Sequence, residues 1–151
     1  MKILAGKWVA LLYRSTQMHI NAKLTKDGIG AGQYPFLLYI GRCSGCSQDE
    51  VARALCFDKG TTARALKKLE LAGYVQRKVS CEDHRKNEVY ITPKGAKTRL
   101  KVRKMLENWH EKIFAGISTE EKMQTMKILE KMAQNSFNTR NAISLSQTQE
   151  K

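Results

Sequence analysis

The segment Asp58-Lys59-Gly60-Thr61-Thr62-Ala63-Arg64 gathers hydroxyls and cations on a short stretch of chain. An arginine offers two parallel N–H donors that match O6 and N7 of guanine, and a threonine can meet a base edge or a phosphate. Gly60 and Ala63 are small, which lets a helix at this point lie close to a polyanion. A second motif is Asp83-His84-Arg85. Arg85 suits the narrow, negative minor groove of an A·T-rich step. Asp83 would be repelled by phosphates, so its expected role is to orient Arg85 through a charge-assisted pair. The same two residues also fit a surface salt bridge at a hairpin turn. A third is Cys43-Ser44-Gly45-Cys46. It reads as half of a zinc site, as a thiol-redox pair, or as small incidental cysteines. A structural zinc site wants four ligands, and Cys56, Cys81, His84 and His110 lack motif spacing. A redox cysteine needs an accessible thiolate near positive charge or a helix N-terminus. Cys46 stands beside such a helix start and near Arg42, which makes it the better candidate of the pair.

These motifs lie in a basic chain. Its 151 residues hold 27 Lys and Arg against 14 Asp and Glu, a net charge of +13. Residues 58–104 carry 14 of the cations and 5 of the acids, a net of +9. A concentrated basic field suits a polyanionic partner. It also fits a solvated face. An anionic membrane surface would ask for one amphipathic basic face, which is not the arrangement here. No stretch has the roughly 18 consecutive apolar residues of a membrane span. The N-terminus runs into an amphipathic segment and reads as mature structure, not a signal peptide. Cytoplasmic residence and unpaired thiols are the expectation. A thiol oxidoreductase would set its C-x-x-C beside a βαβ pattern, which is absent. No nucleophile–base pair or paired carboxylates stand out. The expectation is therefore a binding protein and not an enzyme, with no cofactor and no metal.

Periodicity supplies the elements that position these residues. Residues 3–24 read as a helix, with Leu4, Trp8, Leu11, Leu12, Ser15 and His19 at helical spacing. Gly28, Gly30 and Gly32 break it. A second helix spans 34–41, with Pro35 in its first turn. Ser47 and Glu50 form a capping box opening a third helix to about Cys56, with Val51, Ala54 and Leu55 inward. Asp58 caps a fourth helix, 59 to about 72, whose inward stripe is Ala63, Leu66 and Leu69. Gly73 ends it. Lys59, Thr61, Thr62 and Arg64 then point outward. Residues 74–79 and 88–91 are β-prone around a charged tip, a hairpin. Thr92-Pro93 opens a fifth helix to about Ala115. Ser118 and Glu121 open a sixth, ending near Phe137.

Two helices joined by a tight turn and followed by a basic hairpin form a winged helix-turn-helix. The fold class expected is mainly α with a small β-hairpin wing (α+β). Residues 29–104 form the winged module, 1–28 and 105–137 a helical dimerisation region, and 138–151 a polar C-terminal tail. The residues expected to meet DNA are Ser47, Gln48, Lys59, Thr61, Thr62, Arg64, Lys67, Lys68 and Arg77, with Asp83, Arg85 and Lys86 at the wing. Trp8, Leu11, Leu12, Trp109, Ile113, Phe114, Met126 and Leu129 offer more apolar surface than a small winged domain needs. A homodimer would use it; part could be intramolecular core.

Residues 47–52, 58–64, 69–75, 83–85 and 91–95 together resemble the MarR/SlyA family of regulators. The matching motifs include Asp83-His84-Arg85 and the wing exit Ile91-Thr92-Pro93-Lys94-Gly95. Gly32-Gln33-Tyr34-Pro35-Phe36-Leu37 is similar to that family's second helix. The resemblance covers the whole chain in layout. It implies a transcriptional regulator, commonly a repressor, whose dimer interlocks the first, fifth and sixth helices on a palindromic double-stranded operator. It also implies release by a small effector held between the dimer helices and the DNA module. By position Arg14, Gln33 and Tyr34 would line that cleft, with Arg14 facing an aromatic carboxylate. Some branches use a redox cysteine near the N-terminal helix, where this chain has none. A thiol-redox or metal-responsive regulator using Cys43 and Cys46 is the alternative.

Overall fold

In a computed structural model, residues 4–81 and 87–149 are described, with side chains as far as residue 139. The elements in chain order are α1 (Gly6–Leu24), a single 3-10 turn (Thr25–Asp27), α2 (Tyr34–Ile40), β1 (Cys46–Ser47), α3 (Gln48–Ala54), α4 (Lys59–Leu71), β2 (Val75–Val79), β3 (Asn87–Ile91), α5 (Pro93–Ile113) and α6 (Thr119–Gln149). The chain divides into two compact units, one ending at Trp109 and one starting at His110.

The first unit is built around one apolar core. Ile20 and Leu24 from α1, Phe36, Leu37 and Ile40 from α2, Val51 from α3, Leu66 and Leu69 from α4, Val75 and Val89 from the sheet, and Val102 from α5 are fully buried in it. Each such side chain contributes about 1.5–3 kcal/mol through loss of apolar surface to water. Leu4 just ahead of α1 and Trp8, Leu11, Leu12 and Tyr13 in its first turns are exposed. Its last two turns join the core, so the helix is divided along its length between a wet apolar start and a buried end.

Three strands form an antiparallel sheet in the order β1-β3-β2. Val79 opposite Asn87 and Val75 opposite Ile91 set the hairpin register. The two-residue strand β1 was not expected from the sequence. Cys46 opposite Val89 and Ser47 opposite Glu88 attach it to β3, which ties the start of α3 to the wing.

Several helix faces differ from the expected ones. The stripe of α4 is Thr62, Ala65, Leu66 and Leu69, all buried. That is the i, i+3, i+4, i+7 set of a 3.6-residue repeat, whereas Ala63 sits one position around and is only half-buried. On α3 the buried pair is Val51 and Ala52, and Ala54 is exposed.

In the second unit, Ser118 and Glu121 form the expected capping box. The Ser118 amide donates to Glu121 Oε2 at 2.9 Å, and the Glu121 amide to Ser118 Oγ at 3.3 Å. From there α6 runs to Gln149, twelve residues past the expected end at Phe137. No Gly or Pro occurs between Ser118 and Lys151 to stop it. Residues 138–149, expected as a polar tail, therefore continue the helix. Met123, Met126, Ile128, Leu129 and Met132 are exposed along it. Among the described residues no helix is long and apolar enough to cross a membrane.

Candidate nucleic-acid interface

The helix pair α3–α4 is fixed at both of its starts by side-chain caps. Ser47 Oγ accepts from the Glu50 amide at 3.3 Å, and Glu50 Oε2 accepts from the Ser47 amide at 2.7 Å. The turn between the helices closes with the Phe57 amide donating to the Ala52 carbonyl at 3.0 Å. Cys56 there takes a left-handed φ of 56°. Asp58 then caps α4: its Oδ1 accepts from the Thr61 amide at 2.7 Å and its Oδ2 from the Thr61 hydroxyl at 2.7 Å. These two hydrogen bonds hold the Asp58 carboxyl below the usual carboxylate range.

The cap reaches Arg64. Arg64 Nη2 donates to Thr61 Oγ1 at 3.0 Å, so guanidinium, hydroxyl and carboxylate form a chain along the exposed first turns of α4. A β-carbon at Gly60 would stand 3.5 Å from Arg64 Nη1. That is ordinary contact distance, so the guanidinium does not depend on a glycine at this position. Arg64 is exposed, as are Lys59, Lys67 and Lys68. Lys59 Nζ lies 3.2 Å from Asp49 Oδ1 across the helix pair. Both partners are well exposed, and such a pair contributes at most about 1 kcal/mol.

Thr62 does not belong to this surface. It is 0% exposed and its hydroxyl donates to the Asp58 carbonyl at 2.9 Å, because its place on the helical repeat faces the core. Arg77 is committed inside the chain: its Nε donates to Glu70 Oε2 at 2.9 Å, and its amide donates to Glu70 Oε1 at 3.3 Å. The pair lowers the Glu70 carboxyl and raises the Arg77 guanidinium, in each case chiefly through the side-chain hydrogen bond. Glu70 was not singled out from the sequence. It reaches Arg77 only because the α4–β2 turn folds back on itself. Ser47 and Gln48 are half-buried at the start of α3. Asp83, Arg85 and Lys86 lie outside the described residues.

The remaining site residues separate into groups. Gln33 Oε1 accepts from the Gly30 amide at 3.0 Å. Tyr34 is half-buried, with its hydroxyl raised by burial and then by neighbouring Tyr13. Arg14 is exposed and has no hydrogen bond or ion pair to Gln33 or Tyr34. Trp109 is half-buried; its Nε1 donates to Thr16 Oγ1 at 3.0 Å, and His19 stacks on its ring at 4.3 Å. Trp8, Leu11, Leu12, Ile113, Met126 and Leu129 are exposed. Phe114 departs from the exposed apolar set: it is buried, tilted against His110 with ring centroids 4.4 Å apart.

The expectation of an accessible, low-pKa thiol at Cys46 is overturned. Cys46 lies in the core, and burial, with Cys43 next, pushes its thiol up to about 12. Cys43 is the exposed member of the pair. Among the described residues no group of three or more His, Cys, Asp or Glu side chains comes together as a metal site.

The winged geometry has close counterparts. The model for the MarR family matches residues 27–86. The HTH-type transcriptional regulator BilQ of Clostridium symbiosum is 36% identical over 112 residues, which is 74% of this chain and 78% of that protein. A MarR transcriptional regulator from Methanosarcina mazei Go1, solved by crystallography, superposes with a TM-score of 0.82 at 36% identity, covering 89% of this chain and 96% of that one. The Staphylococcus aureus MepR–DNA complex shares the fold at a TM-score of 0.80 and 21% identity, over 89% of this chain and 99% of that one.

Proposed function

The chain belongs to the MarR family of DNA-binding transcriptional regulators, and from that premise we propose that it works as a homodimeric repressor on a palindromic duplex site. The observation that carries the reading is the first turns of α4, where Arg64 is exposed and held by Thr61 and Asp58 at the head of a capped helix. That is where a recognition helix meets base edges. Lys59, Lys67 and Lys68 on the same helix supply phosphate contacts, and Asp83, Arg85 and Lys86 supply the wing. Arg77 acts through its pair with Glu70, fixing β2 against α4.

Selection of bound sequences from a random duplex library tests this. The expected result is an inverted repeat whose half-sites lie one turn apart, roughly 34–36 Å. Affinity should fall with salt at a log–log slope of about −0.9 for each phosphate neutralised. Recovery of no enriched sequence, or of a single asymmetric half-site, would count against the proposal.

The apolar start of α1 and the methionine-rich face of α6 support the dimer. Clusters of large exposed apolar side chains on each of these helices mark interaction sites. The double variant Trp8→Glu, Leu12→Glu is expected to sediment as a monomer while keeping the circular dichroism of the folded winged unit. A dimer that survives both charges would remove α1 from the interface. Release by a small aromatic or anionic effector belongs to the same proposal. Tyr34, whose hydroxyl feels that of Tyr13, with Gln33 beside it in sequence and the exposed Arg14, supplies aromatic, polar and cationic surface for it.

A further inference from the structure

One residue ties distant elements of the first unit together, away from the exposed start of α4. Asp27 ends the 3-10 turn that follows α1. Gly28 takes a left-handed φ of 68°, and its amide donates to the Thr25 carbonyl at 3.0 Å, which closes that turn. Ile29 then enters the core, and Asn21 Oδ1 of α1 accepts from the Ala31 amide at 2.8 Å. The turn is thereby pinned on both sides. Asp27 Oδ2 accepts from Lys101 Nζ of α5 at 2.6 Å, and the Asp27 carbonyl accepts from the Tyr74 hydroxyl. Neither partner is near in sequence: Tyr74 lies 47 positions on and Lys101 lies 74.

We propose that Asp27 is a positioning residue for duplex recognition, latching the foot of α1 through Lys101 and Tyr74 to the junction of α4 and β2. This role rests on the duplex reading proposed above and adds to it a residue that never meets DNA. A carboxylate is repelled by phosphates, so Asp27 has no use as a direct contact. Seven residues of helix, about 10 Å, separate Arg64 from the end of α4 at Leu71. Asp27 therefore acts on that helix from its far end, by way of Tyr74.

Tyr74 is where these elements meet. It is 3% exposed, its amide donates to the Leu69 carbonyl of α4 at 2.9 Å, and β2 begins at the next residue. Its carbonyl accepts from the Thr92 amide at 3.0 Å, which adds the start of α5. Lys94 Nζ lies 4.6 Å from the centre of its ring and donates to the Ala72 carbonyl at 2.6 Å. A buried hydroxyl that loses its acceptor keeps the cost of its desolvation, so the ring is held to Asp27. The Asp27 side chain is 27% exposed and that of Lys101 61%. A cation in place of the carboxylate would set two like charges face to face. The foot of α1 would move off α5, and the bond to Tyr74 would strain. Helix α4 and the hairpin would then lose a shared support and settle at a different spacing.

The test measures the affinity of the full-length chain for its selected duplex and for an unrelated one. Asp27→Lys makes the net charge more positive by two, and charge alone would tighten binding to both. The latch demands the opposite sign at the selected site: a loss of about fivefold, within the range of coupled neighbours, with none on unrelated DNA. Adding Lys101→Asp restores the net charge of +13 and re-forms the pair in reverse. Specific affinity should then return to within about twofold of the parent. Tyr74→Phe keeps the ring in the core and removes only the hydroxyl. It should lose about threefold at the selected site, and it carries the test should the charge variants fail to fold. Amide hydrogen exchange across residues 72–79 gives a readout without DNA. It should quicken in Asp27→Lys and in Tyr74→Phe and slow again in the exchanged pair. Tighter specific binding by Asp27→Lys, equal loss on both duplexes, or an exchanged pair as weak as the single variant would overturn the positioning role. Unchanged amide exchange would overturn the latch itself. A parent chain that binds no duplex would sink the regulator, while the exchange rates still decide the latch.

Discussion

Arg64→Ala should erase sequence preference at one base pair of each half-site while leaving nonspecific affinity nearly intact. A bidentate arginine–guanine contact discriminates by about 1–3 kcal/mol, which corresponds to roughly 5- to 150-fold. A lysine bound to phosphate would weaken all sequences alike. The hydroxyl of Thr61 and the carboxylate of Asp58 fix the guanidinium before any DNA arrives, so less side-chain freedom is lost on binding. Thr61→Val leaves the amide cap on Asp58 possible and removes only the hydroxyl. It should reduce discrimination at the same base pair by less than Arg64→Ala does, and Thr61→Ser should restore it. Competition titrations with specific and nonspecific duplexes measure both quantities. Parallel loss of the two affinities in Arg64→Ala would mean that this residue meets a phosphate and not a base.

The largest effect on stability is expected at Gly95. Its amide donates to Thr92 Oγ1 at 3.0 Å, and the Thr92 amide donates to the Tyr74 carbonyl at 3.0 Å. The first turn of α5 is thereby laid directly on the entrance to β2. A β-carbon on Gly95 would stand 2.0 Å from the Tyr74 carbonyl oxygen and 2.9 Å from Ile91 Cγ1. The first obstacle is backbone and cannot rotate away. Gly95→Ala should therefore cost about 3 kcal/mol, the upper end of ordinary overpacking, and lower Tm by about 10 °C. Gly6→Ala is the control, since no atom stands within 4 Å of the added carbon; it should change stability by less than about 0.5 kcal/mol. Equal melting of Gly95→Ala and the parent chain would show that α5 can lift off the strand.

How much of this was legible beforehand depended on the range of the interaction. Caps are local, and Ser47, Asp58 and Ser118 could be read from residues three apart. The elements α2 and α3 began at the residues their breakers and caps marked. The inward face of α4 was misplaced by one position because Ala63, Leu66 and Leu69 also make a plausible stripe. Only the core decides that Thr62 goes in. Its hydroxyl is tolerated there because the backbone carbonyl of Asp58 accepts it. The pairing of Glu70 with Arg77 and the strand Cys46–Ser47 depend on register between distant segments, which no window of sequence contains. The reach of α6 was underestimated because polar composition was taken as a stop, whereas a helix is stopped by glycine, proline or competing caps.

The strand order has a consequence for how the protein behaves at high concentration. With β3 in the middle, the sheet exposes two margins, and open margins invite strands from other molecules to dock and seed fibrils. One margin is β1, only two residues long, too short to template a ladder. The other is β2, where Gln76, Arg77 and Lys78 follow Val75. There Glu70 already takes the Arg77 amide and pairs with its guanidinium, and the positive charge of exposed Lys78 repels a second copy of that border. Replacing Lys78 with valine would extend an apolar border and favour gelation of the purified protein, whatever it does to DNA.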